Sequence, residues 1–323
     1  MEIPVKPFRE IRACDLAAQP LQEELRARGY ALIRGLMPLG DLHPLLGEIT
    51  QIAYDAGWLL PGHSPLERLP EPSAACGEPD PGYKRTNNQV FCLESFHDFA
   101  HHPELRRAMS LLVGPRLLIH PKPICRLVFP NCERFTVRAH QDHTAIDGDP
   151  ESFTAWMPLH DCMPESGALQ ILEASHLYGL QKTPVGTGYI PAGSARGGDW
   201  VGGQINAGDV LIFHSLTVHA ATPNISLQLR VSMDCRFQDA ARPINPAELV
   251  FPGAAIGGRS WATTYANWRS EELKYYWKRI PLEFKPSRAE LALLAQSADS
   301  EMMRARFARI LTLLESEIPS RLQ

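Results

Sequence analysis

AGDVLIFHSLTVHAATPNISLQLRVSMDCRF, residues 207–237, is the stretch whose reading decides the fold. A Gly208-Asp209 turn feeds the apolar run VLIF, a short segment follows around His219, and Thr222-Pro223-Asn224 turns the chain again. The last segment, LQLRVSMDCRF, alternates strictly. Arg230, Ser232, Asp234 and Arg236 share one side, and Val231, Met233, Cys235 and Phe237 share the other. A strand with a polar and an apolar face suits a barrel that encloses a ligand; a polar face turned to solvent is the alternative.

The same texture extends upstream to Leu117, with short β-branched and apolar runs between turn residues. Candidate strands are 117–119, 124–129, 134–140, 153–159, 168–172, 209–213, 216–220 and 227–237. Eight short strands predict a mainly β fold with flanking helices, a double-stranded β-helix of the jelly-roll, cupin-like kind. GTGYIPAGSARGGDWVGG (186–203) has too few apolar residues to fold on its own and reads as a mobile lid, within an insert of 180–206.

Outside this core, helical spacing marks residues 16–28, 39–56 and 99–113. Between them, 57–88 carries six prolines and reads as one long loop. Past Phe237 comes an aromatic-rich stretch with Trp261, Tyr265, Trp268, Tyr275, Tyr276 and Trp277, then a final helix of about 287–317. Its stripe of Met303, Phe307, Ile310, Leu311 and Leu314 covers the barrel or a second copy of the chain. A homodimer through that helix or the aromatic segment is therefore a candidate. The chain reads as one domain, 1–323: helices and loop over 1–116, core over 117–237, and a C-terminal segment over 238–323.

Composition narrows the function. Lys and Arg number 32 against 36 Asp and Glu, a net charge of −4, and no basic run stands out. Nucleic acid and anionic membranes are not expected partners, and no apolar run approaches the roughly 18 residues of a membrane span. The first residues, MEIPVKPFREIRACD, lack a signal-peptide core, so a cytoplasmic setting is expected. Seven cysteines, without a C-x-x-C pair, read as reduced thiols. Proline, at 28 residues, is enriched, which favours short strands and fixed loops over a helical bundle.

The chemistry starts at His140-Gln141-Asp142. On a strand, the first and third of these share a face. The triplet alone is a weak signal, since a random chain of this composition yields about 0.5 of them. His219, 77 residues after Asp142, adds the third member. Two imidazoles and one carboxylate make the facial triad that holds non-haem Fe(II) and leaves coordination positions open. Arg230 follows His219 by eleven residues, on the polar face, where a guanidinium can grip a carboxylate with two parallel hydrogen bonds.

Three blocks resemble the phytanoyl-CoA dioxygenase-like branch of the Fe(II)/2-oxoglutarate-dependent oxygenases: AHQDH (139–143), FTAWMPLHDCMPESGALQILEASHLYG (153–179) and the opening stretch 207–237. The resemblance implies that His140, Asp142 and His219 bind iron and that Arg230 anchors the distal carboxylate of 2-oxoglutarate, supported by Ser232. Trp156 and Gln141 match positions at the co-substrate pocket. Lys84 falls near a family lysine there, and Arg85 could serve instead. His176 matches the family's Ser-His and, with His214, reads as structural.

Arg126, Arg138 and His143 are candidates for substrate contact. For Arg138 an ion pair with Glu133 or Asp234 is the other reading. The implied activity is a dioxygenase using Fe(II), 2-oxoglutarate and O2 to hydroxylate an unactivated C–H bond of a small or medium metabolite, with release of succinate and CO2. Asp142 favours hydroxylation over halogenation, because the halogenating relatives carry a small residue there. The alternative is a non-redox, cupin-like metal-dependent isomerase or ligand-binding protein.

Overall fold

The computed structural model describes residues 4–184, 187–250, 260–298 and 300–317. The strands are β1 (Val5–Pro7), β2 (Glu10–Arg12), β3 (Tyr30–Arg34), β4 (Leu117–Ile119), β5 (Ile124–Val128), β6 (Ser152–Pro158), β7 (Leu169–Leu172), β8 (Trp200–Gly202), β9 (Val210–His214), β10 (His219–Ala221) and β11 (Arg230–Asp239). They form two sheets. One runs β1-β8-β7-β10; the other runs β2-β3-β9-β6-β11-β4, with β5 also paired to β11.

The alternation in β11 sets up the two layers. Val231, Met233, Cys235 and Phe237 join Ile33, Ala155, Met157, Val210 and Ile212 in a large cluster under the helices. The opposite parity points between the sheets, where Tyr30, Leu32, Trp156, Ile171, Leu211 and Phe213 form a second cluster. Cross-strand register fixes the polar part of that inner face. Ser232 opposes Arg126 of β5, while Asp234 and Arg236 oppose Trp156 and Thr154 of β6. Directly opposed residues point to the same side, so these six and Arg230 share the interior.

The helices are α1 (Ala18–Arg28), α2 (Leu39–Asp55), α3 (Pro81–Val90), α4 (Glu94–Ala100), α5 (Pro103–Val113), α6 (His143–Ile146), α7 (Trp261–Tyr265), α8 (Arg288–Ser297) and α9 (Glu301–Glu317). Helices α1–α5 and α7 pack against the large cluster on the outer face of the larger sheet, while α8 and α9 pack mainly on each other and α6 follows Asp142. Helix α2 buries Leu42, Leu45, Leu46, Ile49 and Ala53, the stripe expected from its spacing. Helix α1 ends at Gly29, whose φ of 80° is left-handed, and the chain turns directly into β3.

Several expectations are corrected. Residues 1–116 supply three strands, β1–β3, besides helices; the tie of Arg34 to Asp209 at 2.5 Å fastens β3 to the turn before β9. Segment 57–88 is not one loop, because Pro81 opens α3 at a position where its missing N–H costs nothing. Residues 99–113 divide at Pro103, with His102 Nδ1 accepting from Glu104 N to cap α5. The final helix is two helices, α9 starting where Ser300 Oγ accepts from Met303 N. Its Phe307, Ile310, Leu311 and Leu314 pack with Leu291 of α8 and Ala247, not on the barrel.

The aromatic stretch also turns inward. Trp261, Tyr265, Trp268 and Trp277 are buried, and Trp268 lies 4.9 Å from the ring of His97 in α4. Most of the 186–203 insert is irregular, but its end is β8, held between β1 and β7. Its middle is tied down as well, with Ile190 N donating to Ala139 O at 2.8 Å. Among the described residues no helix is long and apolar enough to cross a membrane.

Candidate metal centre

His219 opens β10 and pairs across to His140 by two backbone hydrogen bonds of 3.0 Å each. That pairing is an isolated bridge. Residues 134–140 are not a strand: Glu133–Phe135 form a 3-10 turn, and Asp142 adopts helical angles (φ −57°, ψ −33°) ahead of α6. Strand parity is thus not what brings His140 and Asp142 together. The bend between bridge and helix does so, and the ligand atoms of His140, Asp142 and His219 all lie within 4.8 Å of one another.

The tautomers follow from the carbonyls nearby. His140 Nδ1 lies 2.9 Å from Arg138 O, and His219 Nδ1 lies 3.0 Å from Thr217 O. A carbonyl only accepts, so each Nδ1 carries a proton and Nε2 is the ring atom left to a metal ion. Both Nε2 atoms face the same oxygen, Asp142 Oδ1, at 3.7 and 3.8 Å. The other carboxylate oxygen, Oδ2, accepts from Thr154 Oγ1 at 2.6 Å. Burial pushes the His219 imidazole down to about 3, reinforced by His140. Burial alone would raise Asp142, yet Arg236, His140 and His219 hold its carboxyl well below the usual range. Two imidazoles and one carboxylate, each fixed by an outer hydrogen bond, are a donor set suited to a divalent transition metal.

A cleft runs from the triad to Arg230, bordered by Arg126, Trp156, Leu169, Phe213, Ala221 and Asp234. Arg230 is only 1% exposed. One of its terminal nitrogens donates to Gly167 O, while its Nε has no partner. Trp156 Nε1 and Ser232 Oγ, both buried, are likewise unpartnered. Unpaired buried donors are costly; those of Arg230 and Trp156 border the cleft, with Ser232 beside them on the same face of β11, and such a group fits an anionic oxygen ligand. Trp156 also lies under the guanidinium, 5.9 Å from its carbon to the ring centroid. The cleft itself is narrow, about 20 Å3, so a dicarboxylate enters only if side chains move apart.

Next to the triad lies a larger cavity of about 330 Å3, sharing Arg126 and Val137 with the cleft and lined also by Tyr83, Phe129, Phe135 and Tyr189. Tyr189 stands edge-on to His140 at 6.1 Å. Arg126 Nε donates to Asp234 Oδ2 at 3.2 Å.

Other expected site residues lie elsewhere. Gln141 is buried, but its amide donates to Gly179 O and Leu216 O and accepts from Gln181 N, so it ties backbone segments together and does not border the cleft. Lys84 and Arg85 lie on the exposed side of α3; Tyr83, one residue earlier, is the one that reaches the cavity. Arg138 is exposed and contributes its backbone carbonyl, to His140. His143 begins α6 and is half-buried outside both spaces. His176 and His214 are structural: His176 Nε2 donates to Arg26 O at 3.1 Å, and His214 Nδ1 accepts from Leu216 N. Thr154 and Arg236, which contact Asp142, were not singled out from the sequence. The alternation of β11 already put Arg236 on the face of Arg230, and the register to β6 is the missing signal for Thr154.

The sequence model of the phytanoyl-CoA dioxygenase (PhyH) family matches residues 25–232. The chain is 25% identical over 207 residues to 1-deoxypentalenic acid 11-beta-hydroxylase of Streptomyces exfoliatus, covering 54% of this chain and 72% of that protein. Against the Streptomyces arenae enzyme of the same name it is 25% identical over 164 residues, covering 45% of this chain and 58% of that protein. Among solved structures, the epimerase SnoN in complex with Fe3+, alpha ketoglutarate and nogalamycin RO superposes with a TM-score of 0.54 at 22% identity, over 75% of this chain and 92% of that one. The carbocyclase SnoK from nogalamycin biosynthesis gives 0.51 at 18% identity, over 73% and 89%. Those two likenesses are of fold. With the profile match spanning the triad, the cleft and most of the barrel, the chain belongs to the phytanoyl-CoA dioxygenase family.

Proposed function

We propose that this protein is an Fe(II)/2-oxoglutarate-dependent dioxygenase that hydroxylates an unactivated C–H bond of a small or medium metabolite. The observation that carries the reading is a single cleft with a two-His, one-carboxylate donor set at one end and a buried arginine with an unpartnered Nε at the other. Bound iron with 2-oxoglutarate and O2 supplies the oxidation, in which one oxygen atom enters the substrate and the other ends in succinate as CO2 is lost. His140 and His219 would hold the metal through Nε2, and Asp142 through Oδ1. Arg230 would receive the distal carboxylate on its Nε edge, with Ser232 Oγ and Trp156 Nε1 as further donors.

The 330 Å3 cavity is the substrate compartment in this reading. Its aromatic lining would exclude water from the reacting carbon, and Arg126 is the polar group at its junction with the cleft. The whole chain, 1–323, works as one unit, because β1–β3 complete the sheets that carry the triad and the cleft. A cytoplasmic setting suits seven cysteines that are all free thiols.

Succinate release with Fe(II), 2-oxoglutarate and a panel of apolar metabolites tests the activity. Wild type should give succinate with at least one of them, and Asp142→Ala none. Equal succinate from both proteins would refute the reading.

A further inference from the structure

Behind the triad lies a chain of buried charges that does not line the cleft. Arg236 is 8% exposed. One terminal nitrogen is 3.9 Å from Asp142 Oδ1 and the other 3.6 Å from Glu248 Oε2, both too long for hydrogen bonds, and its Nε has no partner. Glu248, 5% exposed, is held from the far side. Lys122 Nζ donates to its Oε1 at 3.1 Å and to Ala247 O at 2.7 Å, and His120 Nδ1 stands 3.4 Å from Oε2. His120 is in turn fixed through Nε2 to Gln238 Oε1 at 2.9 Å.

A free guanidinium beside a buried carboxylate closes to hydrogen-bond distance. Here it is shared between two carboxylates and closes on neither. The oxygen it approaches, Oδ1, is the one that both imidazole Nε2 atoms face, whereas Oδ2 is occupied by Thr154. A full Arg236–Asp142 ion pair would therefore compete with a cation for the same lone pairs.

We propose that Arg236 and Glu248 form a positioning couple in which braced Glu248 holds the guanidinium off Asp142, so that Oδ1 stays available to the metal and its affinity is set by fixed charge. The inference rests on the metal-binding reading above. Arg236 does not line the cleft and acts through Asp142 alone.

The couple predicts opposite signs for its two members. In Glu248→Gln the guanidinium is released toward Asp142, and the dissociation constant for a divalent metal rises about tenfold, the change expected from closing roughly 1 Å at an effective dielectric of about 20. In Arg236→Gln the competing cation is gone, and the constant falls about threefold or more. The double variant returns to within about threefold of wild type.

Titration of the apoprotein with Mn(II), following the free aqueous ion by electron paramagnetic resonance, reads all four constants. Looser binding in Arg236→Gln would overturn the couple in favour of a merely structural role, as would an unchanged constant in a folded Glu248→Gln. Glu248→Gln leaves three basic side chains without their carboxylate. Should it fail to fold, the sign for Arg236→Gln and the level of the double variant decide. No Mn(II) binding by wild type at millimolar metal would remove the metal-binding reading itself, and the couple with it.

Discussion

Replacing Arg230 is the substitution whose size follows most directly from the structure. The side chain is 1% exposed, tied to Gly167 O by one terminal nitrogen, and its Nε has no protein partner. Gripping a carboxylate on that free edge makes two charge-assisted hydrogen bonds away from water, each of about 1.5–3 kcal/mol. Arg230→Gln keeps a polar group of similar reach but loses the charge and the fork. A loss of about 3 kcal/mol corresponds to a rise of about 150-fold in the KM for 2-oxoglutarate. Arg230→Lys keeps the charge and loses the fork, so a rise of about tenfold is expected.

Succinate formation at varied 2-oxoglutarate, with Fe(II) saturating, gives both values. Mn(II) affinity checks that the triad is intact, and thermal unfolding checks that loss of the Gly167 tie has not unfolded the barrel. An unchanged KM in Arg230→Gln, or equal effects of Gln and Lys, would refute the reasoning, because neither charge nor geometry would then matter at that end of the cleft.

Three further outcomes are expected. A Cβ at Gly29 would meet His176 Nδ1 at 2.5 Å and Thr217 Oγ1 at 2.6 Å, at a φ of +80°; Gly29→Ala should therefore cost about 2–3 kcal/mol and lower the Tm by several degrees. Burial pushes His97 down to about 4, so the unfolded chain takes up a proton first as pH falls below about 6.5. The stability it contributes is full above that pH and declines toward pH 4. In urea unfolding, the loss between pH 7.5 and pH 5 should shrink by about 2 kcal/mol in His97→Phe. Lys84→Ala, on the exposed side of α3, should leave the KM for 2-oxoglutarate within about twofold of wild type, and a tenfold rise would restore Lys84 to the site.

The legible parts of this chain are those where one strand carries its own periodicity. Alternation from Arg230 to Phe237 gave the two faces of β11, and with them the polar interior that holds Arg230, Ser232, Asp234 and Arg236. Likewise His219 and the H-x-D triplet were visible from residue type and spacing, though the local structure was not. A strand from 134 to 140 was expected, and the chain instead bends through a 3-10 turn and a helical Asp142, a geometry set by tertiary hydrogen bonds to β10 and Thr154.

Strands β1, β2 and β8 are not legible in the sequence, because three residues are too few to show a period. Five-residue β3 hid for another reason: both its faces are buried, so it does not alternate. The hydrogen bonds of Gln141 are not legible in the sequence, because its backbone partners at Gly179, Gln181 and Leu216 lie 38 to 75 residues away, beyond any local pattern. Thr154 and the Glu248 brace share that cause: Thr154 meets Asp142 only through the register of β6, and Glu248 meets Lys122 and His120 from more than 120 residues away.

The most direct test of the account is an anaerobic titration of the Fe(II)-loaded protein with 2-oxoglutarate, watching for the weak visible charge-transfer band of the metal chelate. The account predicts a saturable band in wild type and none in His219→Ala. Iron binding without a band at saturating 2-oxoglutarate would contradict it, leaving a non-redox, cupin-like metal protein.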